Sequence, residues 1–258
     1  MLKCFFETYR FSEDLDFTIP NDHVLSKSFL ENHLDTLAKW IEERCGLIFP
    51  RRDWKIEEYL NPRGKVAYLV KISYAGPHPQ PTRSLQRIKF DLTQDELLVD
   101  TSDSRQLYHG YSDAQEPSPR IRCYSINEIL AEKTRALTQR KGRARDVYDL
   151  VNISRNFRDQ IDPDRARRIA LEKFQFKDLP MPTVDGVMGF VDHGQLRAAW
   201  EEQLAHQIHH LPSVDSFLAD LKDAIAWWLD PAQSAPKLGS MPGAVGRIAD
   251  RTLYADFP

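Results

Sequence analysis

The hydrophobic pattern of this chain changes its period near residue 126, and this change limits the architectures open to it. From Val66 to Ile72, apolar residues occupy every second position, which is typical of a β-strand with one buried face. After Ile126, apolar residues recur three and four positions apart, which is typical of amphipathic helices. The sequence therefore predicts an α+β protein with a mixed sheet, followed by a helical C-terminal region.

The same patterns place the individual elements. Two strand-like runs at 54–60 and 66–74 flank an Asn-Pro-Arg-Gly turn and predict an antiparallel hairpin. The predicted strands lie at 14–17, 54–60, 66–74 and 85–92, and the predicted helices lie at 24–44, 126–139, 145–156, 163–174, 193–210 and 213–229. A polar stretch at 101–119 marks the transition between two parts, which we predict as domains 1–115 and 116–258.

Length and composition exclude several classes of protein. The chain has 258 residues, 41% of them hydrophobic, and its net charge of -3 does not indicate nucleic-acid binding by itself. The three cysteines are far apart in the sequence, so neither a zinc site nor a disulfide framework is expected. No apolar run approaches the roughly 18 residues of a membrane span, and the N-terminus does not resemble a signal peptide. We therefore expect a cytoplasmic protein with reduced thiols and no membrane contact.

Asp14 and Asp16 are the first residues that indicate a chemistry. They alternate with Leu15 and Phe17, and residues two apart on a strand share a face. We therefore expect the two carboxylates side by side, with Leu15 and Phe17 pointing into a core. Such a pair suits a magnesium ion that carries a nucleoside triphosphate. An ordinary amphipathic strand gives the same pattern, so the motif depends on its context.

Asp91 supplies a third carboxylate if its strand lies beside the first one. Lys89 and Asp91 share one face of the predicted strand at 85–92. Three carboxylates could hold two magnesium ions, one that activates an attacking hydroxyl and one that neutralises the leaving pyrophosphate. An aspartate on the solvent face of a strand is the simpler alternative.

Lys133 lies within the apolar stripe of the predicted helix at 126–139. That stripe consists of Ile126, Ile129, Leu130 and Leu137. A lysine in this position either extends to water at the edge of the stripe or points into a site, where its ammonium would bind phosphate. The opposite face of the helix, which we expect to be solvated, carries Glu128, Glu132 and Arg135.

A run of cations follows this helix and leads into the next one. Its members are Arg135, Arg140, Lys141, Arg143 and Arg145. One interpretation is a patch that binds the phosphates of a triphosphate or of RNA. The other is the common placement of cations at a helix C-terminus, just as the acids of a first helical turn, here Asp146 and Asp149, are common at an N-terminus.

Three segments carry a family resemblance. They are YRFSEDLDF at 9–17, EILAEKTRAL at 128–137 and RARDVYDL at 143–150. Together they resemble the nucleotidyl transferase AbiEii/AbiGii toxin family, which is similar to DNA polymerase β in its catalytic fold. The resemblance implies a polymerase β-like core and a magnesium-dependent nucleotidyltransferase. Such a protein would be the toxin of a toxin–antitoxin or phage-defence system, and it would transfer a nucleotide from a nucleoside triphosphate to an RNA, such as tRNA, or to a protein.

The resemblance also implies roles for single residues. The metal-binding acids of the family match Asp14, Asp16 and Asp91. The expected nucleotide-binding residues are Ser12 and Lys133, with Arg145 from the basic run. The expected catalytic residues are Lys133 and Asp146. The implied cofactor is Mg²⁺, and the implied partners are a nucleoside triphosphate, RNA and a cognate antitoxin.

One feature departs from the family pattern. The family places a Gly-Gly or Gly-Ser turn about ten residues before the acidic pair, where backbone amides approach the triphosphate. The segment 1–9 contains no glycine. Either the chain starts too late or the protein lacks this phosphate cradle. The alternatives are therefore a weak or inactive relative that binds a nucleotide or RNA, and a metal-dependent phosphodiesterase or nuclease.

Overall fold

The chain folds into two compact units. A computed structural model describes residues 4–6, 10, 14–20, 25–76, 85–107, 119–140, 143–180 and 182–230. We call Ser12–Leu98 the sheet unit, and we call Met1–Phe11 together with Val99–Pro258 the helical unit. The predicted domain boundary after residue 115 lies outside the described residues and stays a prediction.

The sheet unit contains a four-stranded sheet in the order β1-β4-β3-β2 and one long helix. Its elements are β1 (Asp14–Thr18), α1 (Lys27–Cys45), β2 (Lys55–Leu60), β3 (Val66–Tyr74) and β4 (Gln86–Thr93), with a short 3₁₀ turn at Arg51–Asp53. The predicted hairpin is confirmed, because β2 and β3 pair antiparallel, and β4 continues the antiparallel order. β1 pairs parallel with β4, so the sheet is mixed as predicted.

Helix α1 covers one face of this sheet. It begins after Ser26, whose hydroxyl accepts a hydrogen bond from the Phe29 amide. It ends at Gly46, whose φ of 64° is a left-handed conformation that glycine adopts without steric cost. Buried side chains of α1, such as Leu30, pack with Val70 of β3 in the core of the unit. This burial of one sheet face agrees with the alternating pattern of β3.

Leu15 and Phe17 do not lie in that core, so this expectation is wrong. They are 43% and 45% exposed. The reason is topological: β1 is the last strand of the sheet among the described residues, whereas α1 packs beside β2 at the other end. Phe17 instead stacks against Phe90 of the neighbouring strand. Alternation within one strand does not reveal whether another element covers its apolar face.

The helical unit is built mainly from helices that follow residue 125. Its elements are β5 (Asp103–Gln106), β6 (Arg120–Cys123), α2 (Ile126–Gln139), α3 (Ala144–Phe157), α4 (Pro163–Phe176), α5 (Val184–Met188), α6 (His193–Leu204) and α7 (Val214–Leu229). The small antiparallel β5–β6 ribbon and α5 were not predicted, and α6 ends earlier than expected. Within the described ranges, no helix combines the length and the apolar character that a membrane crossing requires.

The N-terminal residues belong to the core of this helical unit. Phe5 and Phe6 are fully buried and pack edge-on against Phe157 of α3, with ring centroids 5.7 and 4.9 Å apart. Edge-to-face contacts of this kind add to the free energy gained by burying the rings. The core therefore joins residues that are about 150 positions apart in the sequence.

The face of α2 that we expected to be solvated is buried. Lys173 of α4 lies 3.0 Å from Glu128 and 3.6 Å from Glu132. Arg135, only 7% exposed, pairs with Glu132 on the same helix. The expectation is wrong because charges spaced along one helix do not reveal a cation that a later helix supplies. Buried charges of this kind require partners, and α4 provides one.

Candidate functional site

Asp14, Asp16 and Asp91 lie on one face of the sheet unit. In the parallel pair of β1 and β4, Asp16 is opposite Asp91, and Asp14 is opposite Lys89. Paired residues of neighbouring strands point to the same side, as do residues two apart on one strand, so these four side chains share a face. The predicted proximity of the two strands is therefore observed. We call Asp14, Asp16, Asp91 and Lys89 the acidic cluster.

The Lys89 ammonium lies between two of the carboxylates. Its Nζ atom is 3.3 Å from Asp14 Oδ2 and 3.4 Å from Asp91 Oδ2. Burial acts to lower the pKa of Lys89, but the hydrogen bond and charge of Asp14, followed by those of Asp91, raise it above its ordinary value. The carboxylates thus stabilise a positive charge at this point of the sheet.

Tyr59 of β2 borders the acidic cluster. Burial and then the charge of Asp91 raise the pKa of its hydroxyl, and a hydrogen bond to Asp91 acts in the same direction. Asp16 also contributes to this shift, which places its charge near the phenol. The tyrosine was not predicted from the sequence, because its strand pattern gives it no special position.

The acidic cluster fits a divalent cation in the chemistry of its donors. Carboxylate oxygens are the ligands that Mg²⁺ prefers, and one cation, the Lys89 ammonium, already lies between Asp14 and Asp91. In the part of the chain that the structure describes, no three His, Cys, Asp or Glu side chains stand close enough to hold a metal ion together. The roles of Asp14, Asp16 and Asp91 as metal ligands stay a prediction.

Lys133 points toward two aspartates inside the helical unit. Its Nζ atom lies 2.7 Å from Asp149 Oδ2 and 3.9 Å from Asp146 Oδ1. Both carboxylates come from α3, where a spacing of three residues places them on the same side of the helix. Asp149 is completely buried and Asp146 almost so. We call Lys133, Asp146, Asp149 and Arg10, which pairs with Asp149, the cationic cluster.

Arg10 binds Asp149 with two hydrogen bonds. Its Nε and Nη2 atoms donate to the two carboxylate oxygens at 3.0 and 2.9 Å. This bidentate geometry matches the planar guanidinium to the planar carboxylate and is the strongest common form of such a pair. Arg10 Nη1 also donates to Gln207 Oε1 at 3.2 Å, which links the pair to the turn after α6.

The two aspartates of the cationic cluster differ in their electrostatics. Burial alone would raise the pKa of Asp149, but the charges of Lys133 and Arg10 and their hydrogen bonds hold it well below its ordinary value. Burial raises the pKa of Asp146 above its ordinary value, although Lys133 and Arg140 act in the opposite direction. In addition, Asp146 Oδ2 is buried without a hydrogen-bond partner. Neighbouring acids whose pKa values are driven apart are typical of sites with divided roles.

The described part of the basic run lies beside Asp146. Arg140 Nη1 is 3.7 Å from Asp146 Oδ1, and Arg145 donates from Nε to the carbonyl of Gln203. Burial and then the repulsion of Arg145 lower the pKa of Arg143. Because burial and neighbouring cations destabilise the charged guanidinium, a bound anion beside Arg143 would be stabilised.

The sequence-based site residues fall into four groups, one of which is Arg145 in the basic run. Asp14, Asp16 and Asp91 share the acidic cluster, and Lys133 and Asp146 share the cationic cluster. Ser12 lies outside the described residues. Sequence reasoning gave no role to Arg10, Lys89 or Asp149, although all three occur next to the predicted motifs. The spacing of Asp146 and Asp149 was the available signal, but acids in a first helical turn are common for other reasons.

Comparison with known proteins identifies a family. The model of the family described as "Nucleotidyl transferase AbiEii toxin, Type IV TA system" matches residues 1–230. No curated protein and no solved structure matches the chain significantly. The family match includes all the residues of the two clusters described above.

Proposed function

The chain belongs to the AbiEii family of nucleotidyl transferase toxins of type IV toxin–antitoxin systems, and from this we propose that it is a magnesium-dependent nucleotidyltransferase. The proposed reaction transfers a nucleotide from a nucleoside triphosphate to a hydroxyl of an RNA or protein acceptor. The hydroxyl attacks the α-phosphorus in line, and pyrophosphate leaves. The observation that carries the proposal is the pairing of β1 with β4, because it brings three carboxylates to one face of the sheet, two of them beside the Lys89 ammonium.

The acidic cluster is the proposed magnesium site. Asp14, Asp16 and Asp91 would hold the ion, which supplies charge neutralisation on the triphosphate and a lowered pKa of the attacking hydroxyl. The support is the donor chemistry and the Lys89 ammonium that Asp14 and Asp91 already stabilise. The rigid strands would keep the carboxylates in place, so little reorganisation is needed when the reaction occurs.

Lys133 of the cationic cluster and the arginines of the basic run are the proposed phosphate-binding groups. Five cations, Arg10, Lys133, Arg140, Arg143 and Arg145, accompany two carboxylates, Asp146 and Asp149. This excess of positive charge favours a bound polyanion. Lys133 would bind phosphate as a point charge, and Asp146 would act beside it in catalysis.

We base the proposed acceptor on the basic run and the proposed partner on the type of family. We propose RNA, with tRNA as the first candidate, as the acceptor, since the basic run offers cations for its phosphates. A protein acceptor is the second candidate. A toxin of a toxin–antitoxin system requires a cognate antitoxin that counteracts it, and we propose that one exists for this chain.

A transfer assay tests the proposal. The full chain is incubated with each α-labelled nucleoside triphosphate, Mg²⁺ and total tRNA, and the label on RNA and on protein is measured. We expect label on the acceptor only when Mg²⁺ is present. Asp16→Asn and Asp146→Asn should each slow transfer by about 100-fold, the size of effect seen when a reacting group is misplaced. Glu57→Gln, which changes an exposed carboxylate paired with Lys71 on β3, is the matched control and should transfer normally.

The assay also separates the alternatives. Absence of label with every triphosphate and acceptor, while the protein still binds nucleotide or RNA, would favour a non-catalytic relative. Release of RNA fragments without any triphosphate would favour a nuclease. Equal activity of Asp16→Asn and the unaltered chain would remove the acidic cluster from the mechanism.

A further inference from the structure

The two aspartates of α3 have different relationships with Lys133. We propose that Asp149, held in place by Arg10, is the positioning residue of Lys133, and that Asp146 is not. This inference rests on the proposed function, since it concerns the lysine that function assigns to phosphate binding. It adds Arg10 and Asp149 to the residues on which nucleotide transfer depends.

The distances distinguish the two carboxylates. Lys133 Nζ lies 2.7 Å from Asp149 Oδ2, which is the length of a charge-assisted hydrogen bond. Its separation of 3.9 Å from Asp146 Oδ1 is beyond hydrogen-bond range, so that contact has no directional preference. Of these two carboxylates, Asp149 therefore fixes the direction in which the ammonium points.

Arg10 determines the orientation of the Asp149 carboxylate. Its fork occupies both oxygens, so the carboxylate cannot rotate without losing two hydrogen bonds. Gln207, itself buried, holds the far side of the guanidinium. Gln207 in the turn after α6 therefore holds Arg10, and Arg10 in turn orients Asp149. Asp149 then positions Lys133. A side chain locked in this way keeps its reactive atom within a small range of positions.

The surroundings of Asp149 suit an anchor and not a reacting acid. Its oxygens accept three hydrogen bonds from two cations, and the side chain has no exposed surface. Asp146, by contrast, retains one buried oxygen without a partner. An oxygen that has not yet formed a hydrogen bond can accept one from a ligand, whereas the Asp149 oxygens are already occupied.

Competitive acylation of lysines measures the anchoring directly and requires no enzymatic activity. The full chain is treated with trace acetic anhydride at pH 8, and the acetylation rate of each lysine is read by peptide mass spectrometry. The reagent must reach the nitrogen, so a hydrogen bond that holds the Lys133 Nζ atom against a buried carboxylate slows the reaction. In Asp149→Asn, we expect Lys133 to react about tenfold faster, because the charge-assisted hydrogen bond that holds its Nζ atom is lost. In Asp146→Asn, we expect a change of less than twofold.

A reference lysine, Lys173, and a second variant, Asp146→Asn, control for effects of the substitutions on folding. Lys173, buried against Glu128, should react at the same rate in all variants, which shows that the fold is intact. Should Asp149→Asn fail to fold, Asp146→Asn alone decides: an unchanged Lys133 rate supports the inference, and a tenfold rise overturns it. Equal effects of the two substitutions would also overturn it.

The contribution of Arg10 is tested in two backgrounds. Arg10→Met should change the Lys133 rate in the unaltered chain but not in Asp149→Asn, because the inferred influence passes through Asp149. The same change in both backgrounds would show that Arg10 does not act through this aspartate. Failure of nucleotide transfer in the unaltered chain would contradict the proposed function, while the acylation rates would still report on the anchoring.

Discussion

Lys173 and Glu128 form an ion pair at 3.0 Å between α4 and α2, and both side chains are almost completely buried. Each charge compensates the other, because an isolated charge that is buried in this position would be strongly unfavourable. Glu132 adds a second carboxylate at 3.6 Å from the same ammonium. Together these groups hold α2, the helix that carries Lys133, against α4.

Removal of Lys173 should therefore destabilise the helical unit. We expect Lys173→Met to lower the free energy of unfolding by about 3–5 kcal/mol, because Glu128 is left charged and buried. Urea unfolding followed by circular dichroism measures the change. The double variant with Glu128→Leu should recover part of the loss, since the unpaired charge is then absent. Equal stability of Lys173→Met and the unaltered chain would show that the pair is unimportant.

The pH dependence of stability should reveal the lowered pKa of Asp149. Because the pKa of Asp149 is lower in the folded state than in the unfolded state, its ionisation stabilises the fold at pH values above its ordinary pKa of 3.8. This contribution is lost progressively as the pH falls below 3.8 toward the lowered pKa. At pH 7, Asp149→Asn should lower the free energy of unfolding by about 3–5 kcal/mol, because Arg10 and Lys133 lose their buried partner. The difference between the two proteins should shrink steadily below pH 4. A difference that stays constant to pH 2 would contradict the assignment.

Asp146→Asn should have the opposite effect on stability. Burial raises the pKa of Asp146 in the folded state, so ionisation of this side chain costs stability as the pH rises through that raised pKa. The neutral amide removes that cost. We therefore expect Asp146→Asn to be more stable than the unaltered chain at pH 7, with equal stability below about pH 4. Thermal unfolding at a series of pH values tests this, and a less stable variant at pH 7 would show that the charge is well compensated.

Replacement of Lys89 should change the affinity for a divalent ion. Lys89→Met removes a positive charge between Asp14 and Asp91, so we expect Mn²⁺ to bind about tenfold more tightly. Binding is followed by electron paramagnetic resonance of free Mn²⁺. Lys71→Met is a close control, because Lys71 is directly opposite Lys89 on β3 but pairs with Glu57. Equal affinities of the two variants would indicate a general charge effect and not a specific position.

Periodicity predicted the elements well because it reflects burial along one strand or helix. The extents of β3 and α2 agree with their apolar patterns, and the Asn-Pro-Arg-Gly turn gave the hairpin. The β5–β6 ribbon was missed because its four-residue strands are polar and too short to show a period. The exposure of Leu15 was missed because it depends on where α1 lies, which no local pattern contains.

The candidate site was predictable in its motifs but not in its partners. Asp91 could be placed beside Asp16 only under the assumption that two strands pair, and the structure provides that pairing. Asp149 was indistinguishable from an ordinary acid of a first helical turn until Arg10 was found 139 positions earlier in the chain. Long-range ion pairs of this kind carry no local signature, since the sequence separation of two charges says nothing about their distance.

The packing of Phe5 and Phe6 on Phe157 has a consequence for how the protein is made. The ribosome releases these phenylalanines first, but their binding surface is synthesised about 150 residues later. At ordinary translation speeds this delay is roughly 8–30 s. During that time the segment that also carries Arg10 has no partner, so the cationic cluster can assemble only after α3 has emerged. A fragment whose translation stops before α3 therefore lacks Asp146, Asp149 and the surface that buries Phe5 and Phe6.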